Sequence, residues 1–104
     1  MIHLDASKFA EKIAETDVVV LDVRTPAEFN SGHIINAINI DVYNDYFNSD
    51  ISALDKSKSY AVYCRSGKRS VDASSEMDLI GFKTTYNLTG GIMEWVDSGR
   101  ETVN

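Results

Sequence analysis

Apolar residues fall in short runs along the chain, and the polar stretches between them carry apolar positions three or four residues apart. VVVLDV, starting at Val18, is β-branched and does not alternate, the pattern of a strand covered on both faces. AINI (37–40), YAVYC (60–64) and TTYNL (84–88) read as further strands, and Ile2 to Leu4 as a brief edge strand. Asp5 or Ser7 caps a helix with Phe9, Ala10, Ile13 and Ala14 on one face. Thr25, Pro26 and Glu28 make a capping box with proline at the first helical position, so a short helix starts there and stops near Gly32. From Ser70 to Ile80, the residues Val71, Ala73, Met77, Leu79 and Ile80 recur at roughly helical spacing, and Gly81 ends the run. Gly90-Gly91 meets a backbone need and leads into a closing helix, with Ile92, Trp95 and Val96 facing inward. Residues 43–58 are polar and irregular, with room for one or two helical turns. Within them Tyr43, Tyr46 and Phe47 form an aromatic group, read either as a pocket rim or as partly buried side chains.

Strands alternating with helices predict an α/β fold: a mostly parallel five-stranded sheet with helices on both faces. The 104 residues suffice for one domain, taken as 1–104. A net charge of −6 speaks against nucleic acid and anionic membranes as partners. The strongest apolar run, VVVL, is far too short to span a bilayer, and MIHLDASKF lacks the features of a signal peptide. The expected location is therefore the cytoplasm, where a lone thiol stays reduced. One cysteine excludes an intramolecular disulfide, and one cysteine with two histidines does not make a structural zinc site.

That cysteine, Cys64, stands at the carboxyl end of a strand, where such sheets bind ligands. The loop Arg65-Ser66-Gly67-Lys68-Arg69 follows, then a helix. A tight turn of this kind aims successive amides inward as an anion nest, and the helix N-terminus adds its own. Three of the chain's ten basic residues fall in this loop, on a chain with sixteen acidic ones. A thiol in that setting is expected to ionise readily and to act as a nucleophile.

Three segments resemble the single-domain rhodanese, or sulfurtransferase, family: LDVRTPAEFNSGHI near the N-terminus, the CRSGKRS loop, and LTGGIMEWVDSG near the C-terminus. Together they span nearly the whole chain. The resemblance implies the three-layer rhodanese-like fold, with Cys64 as the catalytic nucleophile. It implies a persulfide on Cys64, formed from thiosulfate or a similar small anionic donor and passed to a thiol, a protein thiol or cyanide. Arg65, Ser66, Gly67, Lys68 and Arg69 would bind the donor and the persulfide. No metal or organic cofactor is implied. The chain departs from the family where Ile35-Asn36 replaces a frequent Pro-Gly and where Asp41 replaces a frequent proline.

Two other functions compete. Phosphatases and arsenate reductases of the same fold use a longer loop, with one more residue between cysteine and arginine than the four between Cys64 and Arg69. A non-catalytic binding module of this family typically lacks the cysteine. Asp22 and Arg24 are read as bracing the loops by an ion pair. Glu28 is read as capping its own helix, with a bridge to Arg24 as a second option. His33 is read as a structural hydrogen-bonding residue and Trp95 as core.

Overall fold

A computed structural model describes all 104 residues. Strand β1 (Ile2–Leu4) leads into helix α1 (Ala6–Ile13), then β2 (Val18–Asp22) and α2 (Pro26–Ser31). There follow β3 (Ile38–Asn39), α3 (Phe47–Ser52), β4 (Ser59–Tyr63), α4 (Lys68–Leu79), β5 (Thr85–Leu88) and α5 (Gly91–Asp97). The strands form one sheet in the order β1-β5-β4-β2-β3, and every pairing is parallel. The expected five-stranded α/β sheet is therefore present, and its carboxyl ends all open on one edge.

Successive strand residues point to opposite faces, and each face carries its own core. On one, Leu21, Val23, Tyr60, Val62 and Cys64 meet Phe47 and Ile51 of α3 and Ala73 and Met77 of α4. On the other, Val20, Ala61, Tyr63 and Leu88 meet Ala6 and Phe9 of α1 and Ile92 and Trp95 of α5. Phe9 crosses Tyr63 and Trp95 edge to face, with ring centroids 6.4 and 6.2 Å apart.

Asp5, not Ser7, caps α1, its carboxylate accepting from the Lys8 amide at 2.9 Å. The Thr25/Glu28 capping box forms as expected. Other expectations are corrected. The third strand shrinks to Ile38–Asn39, because an edge strand pairs on one side only. Leu79 is 82% exposed, since the sheet-facing stripe of α4 is Ser70, Ala73, Ser74 and Met77. Val96 also faces outward, at 52% exposure. The irregular segment contributes more to the core than its polarity suggests, through Phe47 and Ile51, while Tyr43 and Tyr46 are exposed. Asn36 takes φ +67°, a left-handed turn that asparagine tolerates without glycine's freedom.

Phe9→Ala should destabilise the protein by about 3–5 kcal/mol, and Leu79→Ala by no more than about 0.5 kcal/mol. Denaturant midpoints test this contrast; equal effects would contradict the two-core description.

Candidate active site

Cys64 follows the last residue of β4, the strand with two neighbours on either side. Its sulfur faces α4 and is 1% exposed. The Gly67 amide donates to Sγ at 3.1 Å, and the thiol donates to the Ser70 hydroxyl at 3.5 Å. Gly67 is the N-cap of α4 with φ +104°, and a Cβ there would stand 2.1 Å from the Thr89 carbonyl oxygen. Only glycine closes the loop this tightly.

The loop is shaped from behind by α5. The Ile92 amide donates to the Cys64 carbonyl at 2.9 Å, and the Met93 amide donates to the Arg65 carbonyl at 3.1 Å. In a trans peptide, N–H and C=O point in opposite directions. Drawing those two carbonyls toward α5 therefore turns the Arg65 and Ser66 amides away from it, and the Ser66 amide toward the sulfur. Gly91, at φ +63°, lies flat against the Arg65–Ser66 peptide: a Cβ would come within 2.2 Å of the Arg65 oxygen and 2.5 Å of the Ser66 nitrogen.

Burial is the largest influence on the Cys64 thiol and pushes its pKa up. The Ser70 hydroxyl, when it donates to the thiolate, and the amides of Ser70, Gly67 and Ser66 act the other way, and together they outweigh it, so the pKa is lowered. The sequence points to the amide nest, the helix N-terminus and the loop cations together as the source of this acidity; the amides act as expected, and the Ser70 hydroxyl joins them. Arg69 is engaged elsewhere, in a two-pronged bridge to Glu28 at 2.7 and 2.9 Å. Arg65 and Lys68 form no salt bridge.

Glu28 thus pairs with Arg69 rather than Arg24, while also accepting from the Thr25 amide at 3.2 Å. Hydrogen bonds from Arg69 are the main reason its carboxyl is lowered to about 2, against a smaller opposing effect of burial. Arg24 is buried and grips Asp22 through Nε and Nη2, the shortest contact being 2.6 Å. Its Nη2 also reaches the Gly32 carbonyl at 2.7 Å. The pair braces two loops at the sheet edge and touches no atom of the Cys64 loop by hydrogen bond. His33 stacks on Phe29 with centroids 3.7 Å apart, and its Nδ1 meets the Phe29 carbonyl at 2.9 Å. Trp95 is buried. Arg65, Arg24, Glu28, Met93 and Val96 are among the residues lining a groove of about 400 Å³ beside the loop.

Sequence reading missed Ser70 and its buried partner Asn87, which accepts the Ser70 hydroxyl at 2.5 Å. The available signal was an asparagine within a strand, a residue that demands a partner when buried.

Residues 5–98 match the family described as rhodanese-like domain, and the chain belongs to that family. It is 33% identical over 98 residues to a sulfurtransferase of Allochromatium vinosum, covering 93% of this chain and 90% of that protein. It is also 37% identical over 95 residues to the tRNA uridine(34) hydroxylase of Pelagibacter ubique, of which it spans 32%. The chain thus covers about a third of the length of such hydroxylases. A rhodanese-related protein of Thermoplasma volcanium superposes with a TM-score of 0.87 at 32% identity, over 99% of this chain and 98% of that one. A rhodanese-like domain protein of Staphylococcus aureus gives 0.82 at 28% identity, over the full length of both. No helix is long and apolar enough to cross a membrane.

Two outcomes follow from this geometry. Gly91→Ala should displace the Arg65–Ser66 peptide and raise the thiol pKa, seen as slower alkylation of Cys64 at neutral pH; an unchanged rate would refute the anchoring role of α5. The Glu28 carboxyl is lower folded than unfolded, so its bridge contributes fully well above pH 4.5, and that contribution is lost as pH falls through about 2. Glu28→Gln should therefore flatten the acid limb of stability against pH, measured by urea midpoints.

Proposed function

We propose that this chain is a sulfurtransferase that moves sulfane sulfur from thiosulfate, or a similar anionic donor, to a thiophilic acceptor through a persulfide on Cys64. The observation that carries the proposal is the cup around Sγ: the Gly67 amide at 3.1 Å, the Ser66 and Ser70 amides, and only four residues before Arg69. A ring of that size suits one terminal sulfur atom better than a tetrahedral phosphate.

The cycle balances without a cofactor. The Cys64 thiolate attacks the outer sulfur of thiosulfate, the new S–S bond forms, and the old one breaks with its electron pair leaving on sulfite. An acceptor thiolate or cyanide then attacks the outer sulfur, and the pair returns to Cys64. Loop amides hold the negative charge on sulfur at each stage, fixed in place before the reaction begins. Arg65 and Lys68 draw the anionic donor toward the cup, and Arg69 places a guanidinium at its rim. The identity to a sulfurtransferase over nearly the full length of both chains supports the reading. The cycle requires a reduced thiol, which suits the cytoplasm. We read residues 1–104 as one catalytic unit.

Intact-mass measurement after incubation with thiosulfate should show a gain of one sulfur atom, lost on adding cyanide and absent in Cys64→Ser. Turnover of an aryl phosphate without sulfur uptake would overturn the proposal in favour of phosphatase chemistry. Arg69→Ala should lower kcat/KM for thiosulfate by about tenfold, a loss of about 1.4 kcal/mol, because it removes a cation and also exposes Glu28's charge beside the cup. Adding Glu28→Gln should restore part of that loss; normal kinetics in Arg69→Ala would show that the cation has no part in donor use.

A further inference from the structure

The stripe of α4 that faces the sheet is partly polar. Ser70, Ser74 and Asp78 recur at four-residue spacing, one above the other on the helix. Opposite them, Thr85 and Asn87 alternate on β5, and β1 places His3 in register with Asn87. Ser70, Asn87 and His3 join in a hydrogen-bonded line from the thiol to the surface, whereas Ser74 Oγ is buried without a partner. Cys64 Sγ meets Ser70 Oγ at 3.5 Å, Ser70 Oγ meets Asn87 Oδ1 at 2.5 Å, and Asn87 Nδ2 meets His3 Nδ1 at 3.1 Å. Ser70 and Asn87 are buried, whereas His3 is exposed on the edge strand.

The direction of this line is set at its outer end. A neutral imidazole with Nδ1 as acceptor takes a hydrogen bond from Asn87 Nδ2. Oδ1 then faces Ser70, whose single hydroxyl proton is spent on Oδ1, and Ser70 can offer the sulfur only a lone pair. That arrangement suits the protonated thiol, which donates to Ser70. A protonated imidazole carries hydrogen on both nitrogens, so Nδ1–H would face Nδ2–H. Turning the Asn87 amide over relieves the conflict: Oδ1 accepts from His3, and Nδ2 donates to Ser70 Oγ. The Ser70 proton is then released. The Gly67 carbonyl, at 3.1 Å, competes for it, but a thiolate is the stronger acceptor because it is charged.

We propose that His3 is a positioning residue for Cys64: acting through Asn87 and Ser70, its protonation turns the Ser70 hydroxyl toward the sulfur and favours the thiolate. The thiol proton leaves to solvent as His3 takes one up, so the two sites exchange charge across the sheet. Other charged groups on this face include Asp78 of α4 and the Met1 amino group at the end of β1, which bond each other at 2.9 Å. They also include Arg69, which pairs with Glu28 and whose charge acts on Cys64, and Lys56, which lies over Phe82. Asp78 also accepts from Thr85 at 2.9 Å. Ser74 and Thr85 do not titrate in the relevant range. Tyr86, the neighbour of Asn87 on β5, lies in the opposite core and under Lys12 of α1. Histidine is thus the one side chain in the line whose ordinary titration falls near neutrality. The consequence is a nucleophile that keeps its charge as the pH drops, when an isolated thiol would lose it.

The test follows Cys64 itself and needs no sulfur donor, so its failure is separate from failure of the sulfur-transfer reading on which the inference's functional meaning rests. The rate of alkylation by iodoacetamide is measured on the full chain from about pH 5 to about pH 9, spanning the histidine range. Four forms are compared: wild type, His3→Gln, Ser70→Ala and the double variant. In wild type, the fall in rate should flatten through the histidine range. At about pH 5.5, His3→Gln should react about tenfold more slowly than wild type, the size of a charge-assisted hydrogen bond gained or lost. At about pH 9, above the ordinary histidine range, the two rates should agree, which also shows that the thiol's surroundings are intact. In the Ser70→Ala background, His3→Gln should have no further effect. The proposal is overturned if His3→Gln leaves the profile unchanged. It is equally overturned by slowing of the same size at both pH values, or by an effect that persists without Ser70.

Discussion

The site depends on two hydrogen bonds that do not touch the sulfur. The Ile92 and Met93 amides hold the Cys64 and Arg65 carbonyls, and the planarity of the peptide carries that constraint to the other side of the loop. With the oxygens fixed toward α5, the Ser66 amide has no choice but to face Sγ. The nest is thus built by pulling on its outside. The two glycines mark where this geometry is tightest: Gly67 against the Thr89 carbonyl and Gly91 against the Arg65–Ser66 peptide. Neither contact leaves room for a methyl group. A buried carbonyl left unsatisfied is costly, and the Ile92 amide satisfies that of the buried Cys64.

Electrostatics at the loop are more frugal than the count of basic residues suggests. Of the three cations, Arg69 is committed to Glu28, and Glu28 is in turn committed to Thr25 and the start of α2. This couples the rim of the cup to the capping of a helix whose own residues are not buried. The thiol pKa is lowered by the Ser70 hydroxyl and by loop amides close to the sulfur, while Arg65 and Lys68 are exposed and form no salt bridge. For the proposed sulfur transfer this arrangement is favourable: backbone amides need no reorganisation when the sulfur becomes anionic, and exposed cations act over longer distances.

Much of this was legible beforehand, because it depends on local pattern. The β-branched runs, the capping box at Thr25 and the strand–cysteine–glycine–helix order all announce themselves within a few residues. What stayed hidden depends on partners far apart in sequence. Leu79 looked like core because hydrophobic spacing was read without the sheet; α4 instead turns serines and Ala73 inward, and its most apolar outer residue faces water. Glu28's claim on Arg69 spans forty-one positions and requires α2 to stand beside the loop. Ser70 and Asn87 looked unremarkable singly, since neither has a meaning until α4 is laid on β5. The loop that follows the cysteine was readable, whereas its anchoring by α5 and the contact of Ser70 with Asn87 are tertiary.

Strand order adds a last consequence. β4, which delivers Cys64, lies at the centre of the sheet, while β1 lies at the margin and pairs only with β5. Opening by thermal fluctuation starts at margins, and amide protons at the centre exchange last. Detachment of three residues at the rim would break the contact at His3 and leave the strand of Cys64 closed. The proposed His3 linkage and the Cys64 loop therefore sit in layers of different local stability, and the first can come and go while the second persists.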